Sequence, residues 1–85
     1  MQLSNAVRQR IINIGKKEHV NLKEISKKAD LKYSTLESFM KGKTRIITVE
    51  TLFKICDGVC MSPKEFFDDK LFIDVVDEYE KQSIK

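Results

Sequence analysis

An all-α domain of five helices, followed by one more amphipathic helix, is the fold class that this 85-residue sequence predicts. Three observations lead there. Apolar residues recur at helical spacing along the chain, and no alternating run marks a strand. Two helix-start signatures stand inside the chain: Asn21 with Glu24, and Ser62-Pro63 with Glu65. The chain has only three glycines and one proline, and of these Gly42 and Pro63 stand where one helix would end and another begin.

The elements follow in order. Ser4 can cap a first helix carrying Val7, Ile11 and Ile14 on one face, and Gly15 weakens its end before a connection at His19 and Val20. Asn21 and Glu24 form a capping box for a short second helix bearing Leu22, Ile25 and Ala29. Asp30, which tolerates the left-handed conformation better than most residues, fits the turn after it. A third helix over residues 33–41 buries Leu36, Phe39 and Met40, and Gly42 stops it. Residues 43–47 make a basic loop. Thr48 caps a fourth helix whose apolar side is Val49, Leu52, Phe53, Ile55, Cys56 and Val59. Ser62 opens a fifth, anchored by Phe66 and Phe67, and residues 71–81 have the spacing of a further amphipathic helix.

Charge is unevenly spread. Residues 1–67 carry 13 lysines and arginines against seven acids, a net +6, whereas residues 68–85 carry three lysines against six acids, a net −3. A basic domain with an acidic tail directs attention to polyanions. With no apolar run near membrane length and no leader-like N-terminus, a cytoplasmic protein is expected. Cys56 and Cys60 have no second ligand pair and His19 has no evident partner, so no metal, no cofactor and no disulfide framework is expected. No carboxylate pair shares a face with a nucleophile, which argues against an enzyme, and no small-molecule ligand is evident.

Residues 22–39 meet the requirements of a helix-turn-helix: Ser26 is small where two helices must touch, Asp30 accepts a positive φ, and Ile25, Leu31, Leu36 and Phe39 lock the pair to the rest. Tyr33, Ser34, Glu37, Ser38 and Lys41 are left on the outer face. The run VNLKEISKKADLKYSTLESFMKGKTRIITVETLFKICDGVCMSPKEFF resembles, almost position by position, the helix-turn-helix domain of the lambdoid phage repressors and Cro, the XRE family. The resemblance covers residues 7–67 without a gap. It implies a lambda-repressor-like DNA-binding domain that puts its third helix in the major groove of double-stranded DNA. By position, it implies base contacts at Tyr33, Ser34 and Ser38, and backbone contacts at Thr35, Lys41, Lys43, Thr44 and Arg45.

Three departures from the family stand out. Leu22 replaces the Gln common at the start of helix 2, removing one expected phosphate contact. Gly15 and Met40 occupy the places of a charged Arg–Glu pair; the two charges are absent together, as they must be if neither is to lie unpaired. Cys60 sits where a helix-ending Gly is common, which leaves the end of helix 4 shifted or strained. Gly42-Lys43-Thr44 is no phosphate loop, because Glu37 holds the position where that motif requires its first Gly. Glu37 is expected to pair with Lys41 at i+4.

Two further expectations concern partners. Leu71, Phe72, Val75, Val76 and Tyr79 form one stripe, expected to mediate homodimerisation, with packing back onto helix 1 or helix 5 as the alternative. The rival function is a protein-interaction module of the same fold, an antitoxin or a regulator's partner. The basic residues Lys27, Lys28, Lys32, Lys41, Lys43 and Arg45 around the third helix favour DNA.

Overall fold

The computed structural model describes residues 2–44 and 47–75, and these are all-helical. The elements are α1 (Leu3–Glu18), α2 (Leu22–Lys28), α3 (Tyr33–Met40), α4 (Val49–Gly58) and α5 (Pro63–Phe67), followed by a 3-10 turn at Lys70–Phe72. A single core joins them: Val7, Ile11 and Ile14 from α1, Ile25 from α2, Leu36 and Phe39 from α3, Ile55 and Cys56 from α4, and Phe66 from α5. Burial pushes the Cys56 thiol above its ordinary pKa, keeping it a neutral packing group.

The local start signals act as expected. The Asn21 side chain accepts from Glu24 N and the Glu24 carboxylate accepts from Asn21 N, both at 2.9 Å. Ser62 and Glu65 repeat the box at 3.0 and 3.1 Å, with Pro63 at the first turn. Thr48 caps α4 by accepting from Thr51 N. At α1 the expectation is corrected: the N-cap is Gln2, and Ser4 is buried inside the first turn. Gly15 stands close to the end of α1, which stops at Glu18 before His19 as expected. The helix runs through the glycine, and a Cβ at that position would come within 2.9 Å of Val20 O.

The stops share one geometry. Val20 N donates to Gly15 O, Leu31 N to Ser26 O, Lys43 N to Ser38 O and Met61 N to Cys56 O, at 3.0, 2.9, 2.9 and 2.9 Å. Each bond closes the end of a helix around a left-handed residue: His19, Asp30, Gly42 and Cys60, with φ of 58°, 59°, 82° and 57°. Asp30 and Gly42 were legible as such residues, and Cys60 does carry the strained conformation its position implied. At three of the stops the following residue, Val20, Leu31 or Met61, packs against the core. At the α3 stop the following residue is the exposed Lys43.

Three features reposition the apolar side chains. Gly58 lets α4 approach α2, since a Cβ there would lie 2.9 Å from Ala29 N and 3.1 Å from Ala29 Cβ. The α4 stripe splits: Leu52, Ile55, Cys56 and Val59 turn inward, whereas Val49 and Phe53, one turn apart, are 84% and 59% exposed. The expected α-helix over residues 71–81 is not formed in its described part. Asp69 Oδ1 accepts from Leu71 N at 2.9 Å, which ties a 3-10 turn, and Ile73 and Asp74 continue as a turn. Phe72 is drawn onto Phe67 and Phe66, with ring centroids 4.8 and 6.1 Å apart. Residues 76–81, with Val76 and Tyr79, lie outside the described residues.

Candidate nucleic-acid interface

Helix α3 is held by Leu36 and Phe39, both buried, so its remaining faces are fixed by the helical period. Tyr33, Ser34 and Thr35 at its start are exposed, and Ser38 one turn on is half-buried. The first turn of α3 has no acidic residue, so its unpaired N–H groups face outward without a competing carboxylate. Tyr33 is braced from α2, because the Lys23 ammonium lies 5.9 Å from its ring centroid.

Ser34, Thr35 and Ser38 meet Thr44, Thr48 and Thr51 around one concavity of about 370 Å³ between α3, the following loop and the start of α4. Its walls are rich in hydroxyls, which both donate and accept. Ser34, Thr35, Ser38 and Thr44 are the residues expected from the sequence; Thr48 and Thr51 join them, Thr48 being marked in the sequence only as the cap of α4. Lys41 and Lys43, which bracket Gly42 at the end of α3, are exposed, as are Lys27, Lys28 and Lys32; Lys28 lines a separate concavity with Glu18, Val20 and Gly58. Arg45 lies outside the described residues. Glu37 pairs with Lys41 at 3.2 Å, as the i+4 spacing implied.

Two arginines of α1 went unnoticed in the sequence. Arg8 donates from Nε to Phe39 O at 2.6 Å and from Nη2 to Thr44 O at 3.3 Å. Its Nη1 reaches Asn5 Oδ1 at 2.8 Å and Ser4 Oγ at 3.4 Å. Its guanidinium also lies 4.7 Å from the Phe39 ring centroid. Arg10 binds the other end of the domain, donating to Phe66 O at 2.7 Å and Glu65 O at 2.9 Å and pairing with Asp69 at 3.2 Å. The available signal was position: both flank the Val7–Ile11–Ile14 stripe, where a long cation half-buries its stem.

Gly15 and Met40 do come together, lining an apolar concavity of about 440 Å³ with Ile11, Ile12, Leu22 and Ile25. Met40 is half-buried and leaves that concavity open, so it replaces the charged pair without filling its space. Among the described residues no group of His, Cys, Asp or Glu could hold a metal ion, and no helix is long and apolar enough to cross a membrane.

No curated protein and no solved structure matches the chain. A family model does: the Cro/C1-type HTH DNA-binding domain matches residues 10–70, which takes in α2 to α5 and most of α1. With the helix-turn-helix geometry of α2 and α3, that match makes the chain a member of the Cro/C1-type helix-turn-helix DNA-binding family.

Proposed function

We propose that the chain is a sequence-specific regulator of transcription, a repressor, that binds double-stranded DNA with α3 in the major groove. The observation that carries this reading is the outward surface of α3: Tyr33 and Ser34 exposed at its start, Ser38 one turn on, and exposed Lys41, Lys43 and Thr44 at its end. In this reading Tyr33, Ser34 and Ser38 meet base edges, while Thr35, Lys41, Lys43, Thr44 and Arg45 hold phosphates. The hydroxyls of α3 read hydrogen-bonding edges without the fixed fork of Arg or Asn, so discrimination rests on few base pairs. The chain acts as a homodimer, joined through the stripe from Leu71 to Tyr79. Leu71, Phe72 and Val75 are each half-buried within their own chain, and the contact uses the surface they leave exposed together with Val76 and Tyr79.

Binding of duplexes selected from a random pool tests the reading. Affinity should fall with salt at a log–log slope of about −0.9 for each phosphate neutralised. Lys43→Glu should weaken all duplexes alike. Exchanging Tyr33 or Ser34 should alter discrimination by about 1–3 kcal/mol per affected base pair. Indifference of every duplex to Lys43→Glu sinks the proposal. Sedimentation of the whole chain at micromolar concentration reports the dimer, and a monomer there removes that part alone.

A second reading, a protein-binding module of the same fold, draws on Val49 and Phe53, two large apolar side chains exposed one turn apart on α4. Phe53→Ser separates the two: it leaves DNA binding intact if α3 is the working surface.

A further inference from the structure

We propose that Arg8 is a positioning residue for DNA binding: it fastens the segment holding Lys43 and Thr44 to the end of α3. The base-facing and phosphate-facing groups then keep a single register. The proposal rests on the DNA-binding reading above, and it starts from a gap in the fold. Three helix stops are pinned by an apolar residue after the left-handed position, namely Val20, Leu31 and Met61. The α3 stop has the exposed Lys43 there, so no apolar residue directly after Gly42 pins the turn, and the next apolar residue described on the core is Ile47, three positions beyond Thr44. Gly42 is also the most permissive of the four left-handed residues. Left to itself, this would be the loosest of the four stops, yet it carries two of the groups assigned to phosphate.

Arg8 supplies the missing fastening from another helix. One guanidinium reaches Phe39 O at 2.6 Å, on the last turn of α3, and Thr44 O at 3.3 Å, two residues beyond the left-handed Gly42. Asn5 fixes the guanidinium from behind at 2.8 Å, and the Phe39 ring lies beneath it at 4.7 Å. The planar fork is what allows two carbonyls on either side of the turn to be held at once. The charge has a second effect. The last turn of α3 contains no basic residue, so its carbonyls would present partial negative charge close to where a phosphate must come. Arg8 offsets it while facing no carboxylate in any of its hydrogen bonds.

Arg8→Lys keeps the charge but loses the rigid fork whose separate Nε and Nη2 reach Phe39 O and Thr44 O, leaving one ammonium on a flexible stem. In the free chain, amide exchange of Lys43 and Thr44, both of which donate to Ser38 O, should accelerate about tenfold or more. Exchange at Val20, Leu31 and Met61 should be unchanged. Affinity for the duplex selected by the unaltered chain should fall about tenfold, and preference over a scrambled duplex should shrink with it. Unchanged exchange at Lys43 and Thr44 overturns the clamp. Faster exchange with intact affinity and preference overturns its role in binding. A third result also overturns it: Arg8→Met lowers the salt slope by about 0.9 while Arg8→Lys binds normally, which makes Arg8 a direct phosphate contact. If Arg8→Lys unfolds the chain, Asn5→Ala loosens the guanidinium with Arg8 in place and is read the same way. A chain that binds no duplex at all removes the DNA reading and this role together, while the exchange data still report the clamp itself.

Discussion

Arg8 and Arg10 stand two residues apart on α1, about 200° around the helix, and so serve opposite ends of the domain. Their first contacts are nearly copies. Each places Nε on a phenylalanine carbonyl, Phe39 O at 2.6 Å and Phe66 O at 2.7 Å, and each lies over the ring of that same phenylalanine, at 4.7 and 5.8 Å. The remaining partners differ. Arg10 has the carboxylate of Asp69 at 3.2 Å; Arg8 has carbonyls, an amide and a hydroxyl. One cation is neutralised where it joins α1 to α5 and the 3-10 turn. The other keeps its charge where α3 meets the loop of Lys43 and Thr44. The same side chain thus acts as a structural tie at one end and as a source of positive potential at the other, and the difference lies in one carboxylate.

That comparison can be broken in several ways. The largest effect should come from Arg10→Met, which strands two carbonyls and the Asp69 carboxylate. Urea unfolding should show a loss of about 2–4 kcal/mol, with an unaltered salt slope of DNA binding in the folded chain. A change of less than about 0.5 kcal/mol, the range of ordinary surface substitutions, would deny Arg10 its tying role.

Asn5→Asp sharpens the contrast by giving Arg8 what Arg10 already has. The new carboxylate would stand where Asn5 Oδ1 now lies, 2.8 Å from Nη1. Affinity for DNA near 0.1 M salt should drop about three- to tenfold, because a charge within a Debye length of the phosphates is only partly screened. Folding stability should hold. The reciprocal change, Asp69→Asn, should leave DNA affinity where it was; a shift of similar size there would erase the distinction between the two ends.

The smallest effect concerns the carboxylate of α3 itself. Glu37 partly cancels Lys41 at 3.2 Å across an exposed i+4 pair. Glu37→Gln should cost a few tenths of a kcal/mol in stability. It should raise affinity for every duplex at low salt, and the gain should vanish at high salt. Weaker binding would instead assign Glu37 to a base edge.

What could be read in advance was whatever the chain writes locally. The boxes at Asn21 and Ser62, the stop at Gly42 and the Glu37–Lys41 pair each lie within four residues of their partners. The two arginines could not be read this way. Arg8 meets Phe39 and Thr44 at separations of 31 and 36 residues, and Arg10 meets Phe66 at 56, and the acceptors are backbone carbonyls that every residue type carries. The segment after Asp69 misled for the opposite reason. Its stripe satisfies helical spacing, but Arg10 holds one Asp69 oxygen while the other ties Leu71 N, and that tertiary anchor sets a tighter turn. Within α4, Val49 and Phe53 satisfied the periodic pattern and still face outward, since Gly58 seats the helix on Ala29 by its other side.

The left-handed stops at His19, Asp30 and Cys60 bear on how the chain acquires its shape during synthesis. A stop written in glycine is an instruction that a short nascent segment can obey. A stop at one of these three residues is uphill for an isolated peptide, the more so for His and Cys. It holds only once Val20, Leu31 or Met61 has somewhere apolar to settle. The floor of that site includes Ile55 and Cys56 from α4 and Phe66 from α5. The starts of these early helices are written locally, as at Asn21, but their left-handed stops lean on residues that leave the ribosome late.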